Sequence, residues 1–192
     1  MKCLLCENYS LTQHICKNCQ EQFLQPSLYK RKLNNDIEVL SFYRYEDIKS
    51  LLFTKHTDIG FHIYKLLARL SFTKFAREFE WKSRVTSIAI DDNIKSGYSH
   101  TAILNKALTS QNIKPLFNRL RAQNSISYSG KSKVFREANP RDFQLKNFKE
   151  REVILVDDII TTGATLREAT DKLTQEGKEV LFCLTLTDVS KK

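Results

Sequence analysis

Val153-Ile154-Leu155-Val156-Asp157-Asp158-Ile159-Ile160-Thr161-Thr162-Gly163-Ala164-Thr165 is the stretch whose reading decides the fold. Four aliphatic residues in succession suit a short strand buried on both faces, as in a parallel sheet. Two carboxylates follow, and then a small, hydroxyl-rich turn that contains a glycine. Beyond it Leu166, Ala169 and Leu173 recur at helical spacing, and Gly177 is placed to end the helix. The turn therefore feeds a helix N-terminus, whose unpaired N–H groups and dipole favour an anion. Carboxylates beside an anion repel it unless hydroxyl donors lie between them, and ribose supplies such donors. The local chemistry is that of a sugar phosphate, with the phosphate at Thr161, Thr162, Gly163, Ala164 and Thr165 and the sugar diol on Asp157 and Asp158. A plainer reading makes the Asp-Asp pair a solvated turn and Thr165 the cap of a capping box completed by Glu168. That reading accounts for parts of the run but not for the whole of it in one contiguous stretch. The turn has neither the lysine nor the longer glycine loop of a Walker A site, so nucleoside triphosphate hydrolysis is not expected.

The run resembles the ribose-phosphate signature of the type I phosphoribosyltransferases. The resemblance implies that the acidic pair holds the ribose hydroxyls of phosphoribosyl pyrophosphate (PRPP), that residues 161–165 wrap its 5′-phosphate, and that magnesium accompanies the diphosphate. It does not fix the reaction, because proteins bearing the signature include both enzymes and PRPP-sensing regulators.

The amino terminus carries a second signal. Cys3-x2-Cys6 and Cys16-x2-Cys19 are two knuckles separated by nine residues, a spacing that can bring four thiolates to one tetrahedral zinc. The segment between them is short and polar, so it needs a staple to fold. Two disulfides are the alternative and would require an oxidising compartment. Met1 stands two residues before Cys3, which leaves no room for a signal peptide and favours zinc in a closed, structural site. His14 is surplus to a four-cysteine set and reads as a solvated loop residue. Cys183, in an apolar run, reads as a buried strand residue.

With 192 residues and 41% hydrophobic content, the chain has room for one full domain and a small appendage. Its apolar runs are far short of a membrane span, so no membrane insertion is expected and the expected location is cytoplasmic. The net charge is +9. It is concentrated in residues 114–151, which hold ten basic and three acidic residues, a net of +7. Such a segment suits polyanions, namely nucleic acid or pyrophosphate, although a solubilising surface has the same composition.

Three parts are expected: a zinc-ribbon-like module at 1–24, a linker at 25–36 and an α/β domain at 37–192 whose residues 121–150 form a flexible basic flap. Ile37, Val39 and residues 41–45 suggest a strand, and residues 46–80 carry helical spacing. Strands follow at 85–90, 114–118 and 179–186, with a helix over 98–108. Alternating strands and helices make an open, mostly parallel sheet of the type I phosphoribosyltransferase kind, with ligands beyond the carboxyl ends of the strands.

A four-cysteine module ahead of this domain is similar to the ComF-type competence family, amidophosphoribosyltransferase-like proteins of bacterial DNA uptake. An Arg-Gly-aromatic-Asn-Gln run typical of that family is matched at Ser96-Gly97-Tyr98-Ser99-His100 by the glycine and the ring only, and Lys95 is placed to supply the charge that Ser96 lacks. Its Arg-x-x-Asn pair followed by Phe is matched by Arg136, Asn139 and Phe143. The resemblance implies a cytoplasmic single-stranded-DNA-binding protein of natural transformation that also binds PRPP and works with DNA-uptake machinery. Arg119, Arg121, Lys131, Lys133 and Arg136 are the expected DNA contacts. Phe117, Tyr128, Phe135, Phe143 and Phe148 interleave with them as stacking surfaces, although Phe117 and Phe148 read better as core. The alternatives are a phosphoribosyltransferase of unknown acceptor, for which no catalytic residue is assigned, and a PRPP-sensing regulator.

Overall fold

A computed structural model describes residues 2–11, 14–33, 36–91, 97–124, 135 and 139–190. Seven strands form one sheet in the order β1-β2-β7-β6-β3-β4-β5. They are β1 (Tyr29–Lys32), β2 (Glu38–Arg44), β3 (Val85–Asp91), β4 (Ile113–Ala122), β5 (Phe143–Leu145), β6 (Glu152–Ile160) and β7 (Glu179–Asp188). β2, β7, β6, β3 and β4 run parallel, and the two edge strands β1 and β5 are antiparallel. β6 lies at the centre, which is why its sequence is an unbroken aliphatic run rather than an alternating one.

The two faces of β6 belong to two cores. Val153 and Leu155 pack with Leu166, Ala169 and Leu173 of the helix that follows β6. Ile154 and Val156 pack on the other side, in a cluster with Ile63 and Leu67 of one helix and Leu104 of another. Among the described residues the helices are, in chain order, α1 (Lys17–Phe23), α2 (Tyr45–Leu52), α3 (Asp58–Leu70), α4 (Phe72–Glu78), α5 (His100–Ala107) and α6 (Ala164–Gln175), with a 3-10 turn at Phe53–His56. No helix among the described residues is long and apolar enough to cross a membrane.

Several expectations need correction. Residues 25–36 are not a plain linker. They carry β1, which has no apolar alternation of its own and is ordered by pairing with the open edge of β2, Tyr29 opposite Ser41 and Arg31 opposite Val39. The cysteine module is likewise packed rather than tethered: Cys3, Ile15, Cys19 and Leu24 lie in the same core cluster as α3, and Tyr43 donates from its hydroxyl to the Leu24 carbonyl at 3.0 Å. β4 runs on to Ala122, past the expected end at 118, because β5, inside the expected flap, pairs with its far end, Leu120 opposite Leu145 and Ala122 opposite Phe143. Residues 125–134 and 136–138 of that flap lie outside the described residues. α5 starts at His100 rather than at 98, because the Ser99 hydroxyl caps it, accepting from the Ala102 N–H at 3.1 Å. Thr165 does not cap α6. Gly163 takes that place, and Glu168 accepts instead from the backbone N–H groups of Arg141 and Asp142, at 2.9 and 2.7 Å.

Candidate functional site

The crossover from β3 through α5 leads to β4 on one side of the sheet centre. The crossover from β6 through α6 leads to β7 on the other. The strand order therefore reverses between β3 and β6, and in open α/β sheets the crevice at the carboxyl ends of such a pair is where ligands bind. Asp157 and Asp158 stand at that end of β6, and the turn 161–163 leads directly into α6.

Backbone geometry shapes the turn. Gly163 has φ +79° and ψ 6°, a left-handed conformation that side chains disfavour. A β-carbon there would lie 2.6 Å from Cδ2 of Leu33. The Thr162 hydroxyl accepts from the Ala164 N–H at 3.3 Å. Two guanidinium groups hold the carbonyls of the turn: Arg167 Nη1 donates to Thr162 O at 3.0 Å, and Arg31 Nη1 donates to Thr161 O at 2.8 Å. Arg31 is itself ion-paired at 3.3 Å with Asp188, a buried residue at the end of β7. The α6 N-terminus thus opens behind a turn whose shape is fixed and whose neighbours are cationic, a setting that favours an anion.

The two acids have different surroundings because successive residues of a strand face opposite sides. Asp157, half-buried, shares the α6 face with Val153 and Leu155, and its Oδ1 accepts from the Asp158 N–H at 2.8 Å. Asp158 is buried on the opposite face. Its Oδ2 accepts from the Tyr64 hydroxyl of α3 at 3.3 Å, and it lies 3.4 Å from Lys55 Nζ and 3.3 Å from His100 Nε2. Burial alone would raise the Asp158 carboxyl. His100 and Lys55 outweigh it and hold the group well below the ordinary carboxylate range. Burial, together with the Asp158 charge, pushes the Tyr64 hydroxyl well above the usual tyrosine value, so it stays a donor.

Lys55, Tyr64 and His100 were not expected from the sequence. Only His100 stood in a segment singled out for another reason, the run beginning at Ser96. The structure gives that run a local role: Gly97 turns the chain at φ +77°, and the Tyr98 hydroxyl donates to the Lys55 carbonyl at 2.7 Å, fixing the backbone of the residue that faces Asp158. Lys95 and Ser96 lie outside the described residues, as do Tyr128, Lys131, Lys133 and Arg136. Of the expected DNA contacts that are described, Arg121 is exposed on β4, while Arg119 donates from Nη1 to the Asn147 carbonyl at 2.9 Å, bridging β4 to the chain beyond β5. Phe148 is buried as expected, with Lys178 Nζ 4.1 Å from its ring centroid. Phe143 is buried too, against the stacking expectation, and Phe117 is exposed, against the core expectation, because β4 turns it outward.

At the amino terminus the ligand atoms of Cys3, Cys6, Cys16 and Cys19 lie within 4.8 Å of one another. The Sγ atoms of Cys6 and Cys16 are 3.7 Å apart, close to the roughly 3.8 Å that zinc–sulfur bonds of about 2.3 Å impose on a tetrahedron's edge. Backbone N–H groups donate to two of the sulfurs, Cys16 N to Cys3 Sγ at 3.3 Å and Cys19 N to Cys16 Sγ at 3.4 Å. One cluster of four sulfurs, rather than two bonded pairs, fits a single metal, and the set could hold zinc. His14 is half-buried rather than solvated, its ring 4.8 Å from that of His62. Cys183 is fully buried, and burial pushes its thiol up to about 12.

Residues 103–192 match the family described as phosphoribosyl transferase domain. No curated protein matches the chain. Among solved structures it is similar to a hypoxanthine phosphoribosyltransferase from Staphylococcus aureus, with 16% identity over 65% of this chain and 62% of that one and a TM-score of 0.41. It is also similar to an orotate phosphoribosyltransferase from Mycobacterium tuberculosis, with 13% identity, coverage of 89% and 82% and a TM-score of 0.43. An orotate phosphoribosyltransferase from Aeropyrum pernix gives 16%, 89% and 80%, and 0.39. The chain thus spans less than two thirds of the Staphylococcus aureus protein. The matched segment contains β6, the acidic pair, the turn and α6, and the fold is an α/β sheet of the phosphoribosyltransferase type behind a small four-cysteine module.

Proposed function

We propose that this protein binds PRPP with magnesium at the carboxyl end of β6, and that it acts as a cytoplasmic single-stranded-DNA-binding protein in DNA uptake during natural transformation. One observation carries the PRPP reading: a left-handed Gly163 opens α6 directly after Asp157 and Asp158, at the point where the strand order reverses. In this reading the 5′-phosphate sits on the turn 161–165 and the α6 N-terminus, and Asp157 accepts from the ribose diol. Asp158 orders the site from beneath, ion-paired with Lys55 and in contact with His100. Magnesium would screen the diphosphate, and Lys95 is the basic residue that the sequence offers to assist it. Zinc on the four cysteines would be structural, since four sulfurs leave no open position. The DNA reading rests on the likeness of the four-cysteine and β6–α6 motifs to the competence family and on the +7 charge of residues 114–151.

The second reading, a phosphoribosyltransferase acting on an unnamed acceptor, needs a site that stabilises positive charge growing on the ribose and negative charge growing on the diphosphate. Placing a lysine and a histidine against Asp158, next to the carboxylate that would face the ribose, works against the first requirement, and it favours binding over turnover. A thermal-shift titration with PRPP and magnesium, paired with a pyrophosphate-release assay over a panel of nucleobase and amine acceptors, tests both. Stabilisation without pyrophosphate release is the expected result. No stabilisation at saturating PRPP would overturn the binding reading, and release of pyrophosphate would replace it with the enzyme.

A further inference from the structure

A concave cleft of about 540 Å³ lies between the cysteine module and α3, and neither part makes it alone. His14 and Lys17 line it from the module, His62, Lys65 and Arg69 from α3, and Gln20 holds the two sides together, its Oε1 accepting from Arg69 Nη2 at 3.3 Å. Among the described residues no carboxylate lines it. Outside it, the exposed Glu21 carboxylate lies 3.9 Å from the Lys17 ammonium. Next to His62 on α3, Phe61 is 37% exposed, with Lys65 Nζ 5.2 Å from its ring centroid and the His62 and Tyr98 rings 5.4 and 5.7 Å away. Three permanent cations thus converge on one concavity near a partly exposed ring, brought together from residues 14–20 and 61–69.

We infer that this cleft is a binding site for the phosphate backbone of a single-stranded nucleic acid, with Phe61 as a stacking surface for a base. The inference rests on the DNA reading above but places the contact on a different part of the molecule from residues 114–151. The charge is complementary to phosphate, and convergent cations with a partly exposed aromatic ring nearby are what hold single strands without regard to sequence. A duplex presents no unstacked base to Phe61. A flat bilayer surface cannot enter a concavity. Both conditions favour a single strand over other phosphate-bearing partners.

The test uses the full chain, with its zinc, and a fluorescein-labelled oligothymidine titrated over a range of salt. Each phosphate contact contributes about −0.7 to the slope of log affinity against log salt for a single strand. The Lys17→Ala, Lys65→Ala double variant should shallow that slope by roughly one to two units. Phe61→Ala should weaken binding with the salt slope unchanged. Metal content and the PRPP-induced thermal shift of both variants should match wild type, which separates lost contacts from lost folding. If wild type binds the oligonucleotide and the double variant keeps the wild-type slope while Lys131→Ala, Lys133→Ala loses it, the cleft inference falls and the DNA reading stands. If wild type does not bind at all, the DNA reading itself fails. If the double variant loses binding to phosphatidylserine vesicles but not to DNA, the cleft serves a membrane and the inference is overturned.

Discussion

Asp157 and Asp158 are neighbours in sequence and occupy opposite faces of β6. The face of Asp157 is shaped mainly by the next stretch of chain: the turn 161–163 and α6 follow at once, with Arg31 and Leu33 reaching in from afar. The face of Asp158 is assembled from the 3-10 turn, α3 and α5, whose residues stand 103, 94 and 58 positions away in sequence. The first arrangement leaves a turn shaped for an anion, and the second buries a charge and encloses it. In the proposed reading a doubled acid at a strand end is two devices, a ligand group on one face and an anchor on the other.

The strongest way to break this contrast is to delete each acid. Asp158→Ala leaves Lys55 and His100 facing each other without their anion. It should cost about 3 kcal/mol in denaturant unfolding, since removing one partner from a buried pair leaves the remaining charge uncompensated. Asp157→Ala should cost less than about 1 kcal/mol. Equal costs would erase the distinction.

Acid sharpens the same contrast. The folded-state pKa of Asp158 is depressed, so its contribution to stability is fully present above the unfolded carboxylate value of about 4 and is lost as pH falls below that value toward the folded one. The stability gap between wild type and Asp158→Asn should therefore be widest at neutral pH and narrow progressively below about pH 4. Unfolding curves collected from pH 7 to pH 2 would show this, and a gap independent of pH would contradict it.

Gly163→Ala acts on the other face. It forces a side chain into a left-handed conformation and against Leu33, and should cost about 2 kcal/mol while weakening phosphate binding. Tyr64→Phe removes one hydrogen bond to the Asp158 carboxylate and should cost about 1.5 kcal/mol with PRPP affinity nearly unchanged. A Tyr64→Phe protein that folds as well as wild type but loses PRPP would reverse the assignment of the two faces.

How much of this was legible follows from chain distance. The β6 strand, the turn and α6 could be read because strand period, carboxylates, glycine and helix spacing lie in one run of residues, and the four cysteines could be read because their spacing is itself the signal. The enclosure of Asp158 could not, because Lys55 looks like any helix-end lysine and Tyr64 like any core aromatic until α3 and α5 are packed on the sheet. β1 was missed for a related reason. Tyr29-Lys30-Arg31-Lys32 has no apolar alternation, and only the open edge of β2 makes it a strand. The capping box at Thr165 was a false signal, since Glu168 faces the root of the basic segment rather than the start of its own helix.

The most direct test of the central claim is a calorimetric titration of PRPP with magnesium into wild type and into Asp157→Asn, which should differ little in stability. A phosphate turn with Asp157 as the ribose acceptor predicts a single saturable site in wild type and at least about tenfold weaker binding in the variant, a loss of about 1.4 kcal/mol. Absence of binding by wild type, or equal affinity in the two proteins, would contradict it.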